Sequence, residues 1–121
     1  MGMESYELGQ SGEDLAASYL TKQGYHIIER NFRSRRGEID LIAYDCDFLV
    51  FIEVKNYSGR SFSSPYVSID QNKRASLIHA AKTYLLRKKI KNINCRFDAL
   101  IIFRRQQGLA IVDLYKNAFT L

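Results

Sequence analysis

Apolar positions along the chain change period several times, and the changes divide it into elements. Over residues 7–23, Leu8, Leu15, Ala16, Tyr19 and Leu20 recur at helical spacing, and Gly24 follows as a left-handed cap. Residues 25–32 carry Tyr25, Ile27 and Ile28 in a short strand pattern. Residues 37–55 hold two apolar, β-branched and aromatic runs, 37–44 and 48–55, split by the polar break Asp45-Cys46-Asp47; this predicts a hairpin. A second helix is predicted over 69–89, with Leu77, Ala81, Tyr84 and Leu85 as its stripe. Ser68 and Gln71 fit a capping box at its start, and Arg87, Lys88 and Lys89 complement the helix dipole at its end. Residues 94–104 and 109–115 read as strands joined at Gln106-Gln107-Gly108, with Asp98 interrupting the first run. The tail from 116 to 121 carries no pattern.

The central hairpin has too much charge at the end far from its turn. A two-residue Cys46-Asp47 loop, or a four-residue loop over 45–48, sets Asp40 opposite Glu53 and Glu38 opposite Lys55. Opposed residues hold their Cβ atoms roughly 5 Å apart, and opposed like charges destabilise a sheet. The Asp40–Glu53 pair therefore needs a cation. Lys55, on the Glu53 face and roughly 7 Å along the strand, supplies part of one, unless it forms a structural ion pair with Glu38. A bound Mg²⁺ supplies more, because hard divalent cations prefer carboxylate oxygens and keep several waters. Ile42, Tyr44, Leu49 and Phe51 share the Asp40 face; Ile39, Leu41, Ala43, Val50, Ile52 and Val54 occupy the other. With both faces apolar, the hairpin should lie centrally in its sheet, covered by helices.

Composition changes this picture only slightly. A chain of 121 residues with 46% hydrophobic content suits one domain with one core. The longest apolar runs are far too short to span a bilayer, and the N-terminus has no signal-peptide pattern. Cys46 and Cys95 are too few for a zinc cluster and read as reduced thiols of a cytoplasmic protein. The net charge of +5 favours an acidic partner such as nucleic acid.

Several basic and aromatic residues could meet such a partner. Arg33, Arg35 and Arg36 are either a solvated basic turn or a phosphate-contacting loop, and their place just before Asp40 favours contact. Lys73 and Arg74 stand in the first turn of the second helix, where cations oppose the dipole, which marks them for function. The Gly-, Ser- and Pro-bearing loop over 56–66 carries Tyr57, Arg60, Phe62 and Tyr66, which either grip a substrate strand or tack the loop to the core. Glu13 lies beside Leu20 at the edge of the first helix's apolar stripe, where a solvated role is the simpler account. His26 and His79 are isolated and suit surface or core positions better than ligation.

An Asp followed, after a spacer, by Glu-x-Lys on a hairpin resembles the PD-(D/E)XK nuclease superfamily, of restriction-endonuclease-like fold. More closely, the chain resembles the YraN-like family of small bacterial proteins, predicted endonucleases akin to archaeal Holliday-junction resolvases. The resemblance rests on Gly12-Glu13-Asp14-Leu15-Ala16-Ala17, Tyr19-Leu20, Gly24-Tyr25, Arg30-Asn31-Phe32-Arg33, Gly37-Glu38-Ile39-Asp40-Leu41-Ile42-Ala43, Phe51-Ile52-Glu53-Val54-Lys55, Lys73 and Arg96-Phe97-Asp98. Ile39 stands where the superfamily's namesake has Pro, as is usual for this family, and Asn56-Tyr57 follow Lys55 where a basic residue is expected.

The resemblance implies a single α/β domain with a mixed central sheet and flanking helices, one against each face or both along one. It implies that Asp40 and Glu53 coordinate Mg²⁺ or Mn²⁺, and that Lys55 positions or helps deprotonate the attacking water or stabilises transition-state charge. Glu13 matches the helical carboxylate that resolvase-type members add to the site, and Lys73 falls near a substrate phosphate. The expected activity is metal-dependent hydrolysis of DNA phosphodiesters, on branched or single-stranded substrates. A homodimer would suit the two-fold symmetric substrates of junction resolvases. The alternative is a nucleic-acid-binding or scaffold protein that keeps the nuclease fold and turns over little.

Overall fold

A computed structural model describes residues 2–5, 11–58, 70–104 and 109–119. In chain order the elements are β1 (Gly2–Ser5), α1 (Gly12–Lys22), β2 (His26–Arg33), β3 (Glu38–Asp45), β4 (Phe48–Ser58), α2 (Gln71–Lys88), β5 (Asn94–Arg104) and β6 (Leu109–Phe119). The strands form one six-stranded sheet in the order β1-β6-β5-β4-β3-β2. β4 and β5 pair in parallel and the other neighbours are antiparallel. The result is the expected mixed α/β domain, compatible with a restriction-endonuclease-like fold.

The two central strands are parallel because α2 carries the chain from the end of one to the start of the next, a connection that a tight turn cannot make. Their near-continuous apolar sequence follows from burial on both faces. One face packs Leu41, Ala43, Val50 and Ile52 under α1 through Leu15, Ala16, Tyr19 and Leu20. The other packs Ile42, Leu49, Phe51 and Phe97 under α2 through Leu77, Ala80, Ala81 and Tyr84. Tyr84 meets Phe32 edge-on with ring centroids 5.1 Å apart, and Phe97 stacks on Phe119 at 4.5 Å. One helix therefore covers each face.

Some expectations are corrected. Asp70 caps α2, its carboxylate accepting from the Lys73 N–H at 2.9 Å; a first-turn acceptor at this position is what a helix start needs. Ser68 lies outside the described residues, as do residues 7–10 at the expected start of the first helix, the loop residues Arg60, Phe62 and Tyr66, and the Gln106–Gly108 turn. Ser11 caps α1, with its hydroxyl accepting from the Asp14 N–H at 3.1 Å. The last strand runs on to Phe119, because Phe119 and Ala118 pack in the α2-side core. The short edge strand β1 has too little pattern to be read from sequence. Ile39 packs in the α2-side cluster instead of beside Leu41. The Asn31–Asp40 pair is missing from the β2–β3 ladder, where Asn31 takes φ 52°, with the same register on either side; the register shift lies between Ile27 and Glu29.

Candidate metal centre

The turn between β3 and β4 is the two-residue Cys46-Asp47 loop, and Cys46 has φ 53°. Its ladder runs from Asp45↔Phe48 to Leu41↔Ile52 in the expected register. Past Leu41, a side chain takes over from the ladder: the Asp40 carboxylate accepts the Val54 N–H at 2.8 Å. The Glu53 carboxyl lies beside it; burial, then that neighbour, pushes the Asp40 carboxyl up to about 7, against the pull of the Val54 N–H. Glu53 is only 5% exposed. Two acids thus lie together at the covered end of the hairpin, one step past its last ladder pair.

The compensating cation is not the one expected. Lys73 Nζ lies 3.0 Å from Glu53 Oε2. Burial works against the Lys73 ammonium, but its bond to Glu53 and the field of Asp40 hold its pKa above the ordinary lysine value. Lys73 is therefore placed on the carboxylate pair itself. Its placement against the dipole marked it in the sequence, but the partner, twenty positions back on another element, left no local signal. Lys55 is half-buried and, among the described residues, makes no ion pair or hydrogen bond. The Glu38–Lys55 pair does not form; Glu38 faces Arg33 at 3.6 Å. The short bridge of Arg33 across the β2–β3 turn is the nearer partner for Glu38.

Glycines bring both helices to this end of the sheet. A Cβ at Gly37 would overlap the Ser76 carbonyl oxygen, so α2 lies directly on the start of β3 and sets Lys73 over Glu53. A Cβ at Gly12 would overlap the Asn56 side-chain amide, so α1 begins against β4 next to Lys55. Glu13 follows Gly12, and its carboxylate accepts from the Asn31 amide at 2.8 Å. Asn31 stands across from Asp40 at the interruption of the β2–β3 pairing. Glu13 is thus near the pair but does not join it: among the described residues no three His, Cys, Asp or Glu side chains converge to hold a metal ion.

The other candidate residues lie on several elements. Ser34 N–H donates to the Gly37 carbonyl at 2.8 Å, which leaves Arg35 and Arg36 exposed at the tip of the β2–β3 turn. Arg33 is exposed beside Glu38. Arg74 lies over the Phe119 ring at 5.6 Å, and Tyr57 stacks on Phe103 at 5.7 Å. Both are packed against the body of the domain.

A second polar cluster, toward the β3–β4 turn, was missed. Asp98 is fully buried and accepts from Tyr25 at 2.7 Å, from Arg96 at 2.8 and 2.9 Å, and from the Asn117 N–H at 2.9 Å. Arg96 also bonds Asp45 at 2.7 Å, and that bond holds the Asp45 carboxyl below the usual range. Burial and then Asp98 push the Tyr25 hydroxyl pKa up. Every partner is satisfied within the cluster, which ties β2, β3, β5 and β6 together. Asp98 in an apolar run was the visible signal, but its partners are too distant in sequence to be inferred.

Comparison with known proteins adds the lineage. The model of the uncharacterised protein family UPF0102 matches residues 12–102. The chain belongs to this family. A UPF0102 protein of Clostridium kluyveri is 42% identical over 95% of each chain, and one of Persephonella marina is 42% identical over 98% of each. A third, from Syntrophus aciditrophicus, is 36% identical over 98% of this chain and 92% of its own. The UPF0102 match spans Glu13, Asp40, Glu53, Lys55 and Lys73, and stops before β6. Among the described residues no helix is long and apolar enough to cross a membrane.

Proposed function

We propose that this UPF0102 protein is a metal-dependent endonuclease of the PD-(D/E)XK type that hydrolyses DNA phosphodiester bonds. The observation that carries the reading is the Asp40–Glu53 contact: two carboxyl groups held against each other by the fold, with Lys55 uncommitted two residues along the same strand. The donor set suits Mg²⁺ or Mn²⁺, which take oxygen ligands, need only one or two carboxylates and keep waters for the rest. When bound by Asp40 and Glu53, such an ion lowers the pKa of its water and neutralises charge on the phosphate oxygens.

The residues themselves do the rest. Asp40 would give up its proton for an ion to bind, and Lys73 holds Glu53 in place through its 3.0 Å contact. Lys55 keeps its ammonium free to orient the attacking water or meet charge on the scissile phosphate. Glu13, held by Asn31 near the pair, orients water or substrate at the helix edge. Arg33, Arg35 and Arg36 offer guanidinium forks to phosphates beyond the site, and Tyr57 offers a ring edge to a base.

One observation favours the alternative, a DNA-binding protein of little turnover. Lys73 already supplies a positive charge to Glu53, so the pair is stable in the fold without a metal. Cleavage assays separate the two. Purified protein with Mn²⁺ is offered linear duplex, single-stranded and four-way-junction DNA. The enzyme reading expects cleavage that Asp40→Asn and Lys55→Ala each abolish while binding persists. Binding without cleavage of any of the three supports the alternative.

A further inference from the structure

The far end of α2 presents a surface that the proposed site does not use. Lys89 takes the left-handed conformation as C-cap, and the Ile90 N–H bonds back to the Leu85 carbonyl at 3.0 Å. This fold-back joins Ile90 to Leu85 and fixes both against the α2-side core. It does not account for Leu86, which points outward and is 79% exposed. Lys82, Leu85, Leu86, Lys89, Ile90 and Lys91 line an open groove of about 620 Å³ here. Its floor is apolar, and among the described residues none of the three lysines has an ion-pair partner. No acidic residue lines the groove. By contrast Lys88, on the other side of the helix, faces Glu29 at 4.0 Å, and Arg87 covers Phe32.

We propose that this groove docks a short acidic segment of a partner protein, with carboxylates on the lysines and an apolar side chain against Leu86. Charge complementarity selects the occupant. A nucleic-acid backbone would satisfy the lysines but leave Leu86 and Ile90 in water, whereas a peptide alternating acidic and apolar side chains satisfies both sets. The groove lies roughly 20 Å along α2 from Lys73. A partner bound here would leave the carboxylate pair open, so the inference stands whether or not the protein cleaves DNA.

Fluorescence anisotropy with the whole protein tests it. The probe is a fluorescein-labelled peptide alternating Asp with Leu and Phe; the comparison peptide alternates Asp with Ser. Saturable binding is expected for the first, weaker by about tenfold or more for the second. The exposed variant Leu86→Ser, and separately the double variant Lys89→Glu with Lys91→Glu, should each weaken the first peptide by about tenfold or more. Their far-ultraviolet circular dichroism should match the wild type. Equal binding of both peptides would reduce the groove to ion exchange and overturn the proposal. So would no saturable binding of the Leu/Phe peptide, or binding that both variants leave unchanged. The proposal also fails if Leu86→Ser instead abolishes binding to duplex DNA or phosphatidylglycerol vesicles, or a self-association seen by sedimentation, while the peptide is untouched.

Discussion

The most informative residue is Asp40. Its folded pKa of about 7 lies above the unfolded value of about 4, so the native state holds a proton that the unfolded chain has already lost. Stability from this group is complete below about pH 4 and is lost as pH rises through about 7. Asparagine keeps the acceptor for the Val54 N–H and can donate to Glu53, but it never ionises. Asp40→Asn should therefore be more stable than wild type at pH 8, by about 2 kcal/mol after allowing for solvent at the site, and near equal at pH 4. Urea denaturation at the two pH values checks this. A variant less stable at pH 8 would mean that the Asp40 charge is held favourably by Lys73, and that Asp40 keeps no extra proton in the fold.

At this scale the sequence was partly legible. The opposition of Asp40 and Glu53 followed from hairpin arithmetic; the ladder keeps that register from Asp45↔Phe48 to Leu41↔Ile52 and ends one step before the two acids. What arithmetic could not supply was the third member. Lys73 reaches Glu53 only because α2 crosses over the start of β3, a matter of packing between distant segments. The same limit hid the Asp98 cluster, whose tie to Tyr25 spans 73 positions of the chain.

At the scale of elements, the approach of α2 to β3 decides where Lys73 sits. Gly37 permits it, since any side chain there would strike the Ser76 backbone, which cannot rotate aside as a long side chain does. Gly37→Ala should cost about 2 kcal/mol, as overpacking commonly does. It should also move Lys73 off Glu53 and away from Asp40, so that the Asp40 carboxyl titrates higher than in wild type. Thermal denaturation reads the first effect, and carboxyl chemical shifts followed against pH read the second. An unchanged Tm would show that α2 is not fixed by this contact. Helix periods, the hairpin and the last strand pair were all readable, because helical spacing or short apolar runs bounded by polar breaks mark them locally, even where a strand is buried on both faces. The side taken by Ile39 was not: it packs in the α2-side core although Leu41, two residues on, packs under α1.

For the whole molecule, the net charge of +5 takes a particular shape once the acids are placed. Asp14 is paired with Arg30, Asp45 with Arg96, and Glu53 with Lys73, while Arg35 and Arg36 project from the sheet edge. If that tip tracks a phosphate backbone, replacing both arginines by Ala should weaken binding to every DNA sequence alike. The slope of log affinity against log salt should then fall by about 2. Anisotropy titrations across a salt series measure it, and an unchanged slope would take these arginines out of the interface.

The central claim is that Asp40 and Glu53 form a divalent-cation site, and calorimetric titration with Mn²⁺ tests it most directly. Wild-type protein should bind the ion about tenfold more tightly at pH 8 than at pH 6, because the proton near pH 7 must leave first, and proton release should be visible as a buffer-dependent heat. Asp40→Asn should show no binding at either pH. If wild type and Asp40→Asn bind Mn²⁺ alike, or if neither binds it, the carboxylate pair is a structural contact closed by Lys73 and not a metal centre.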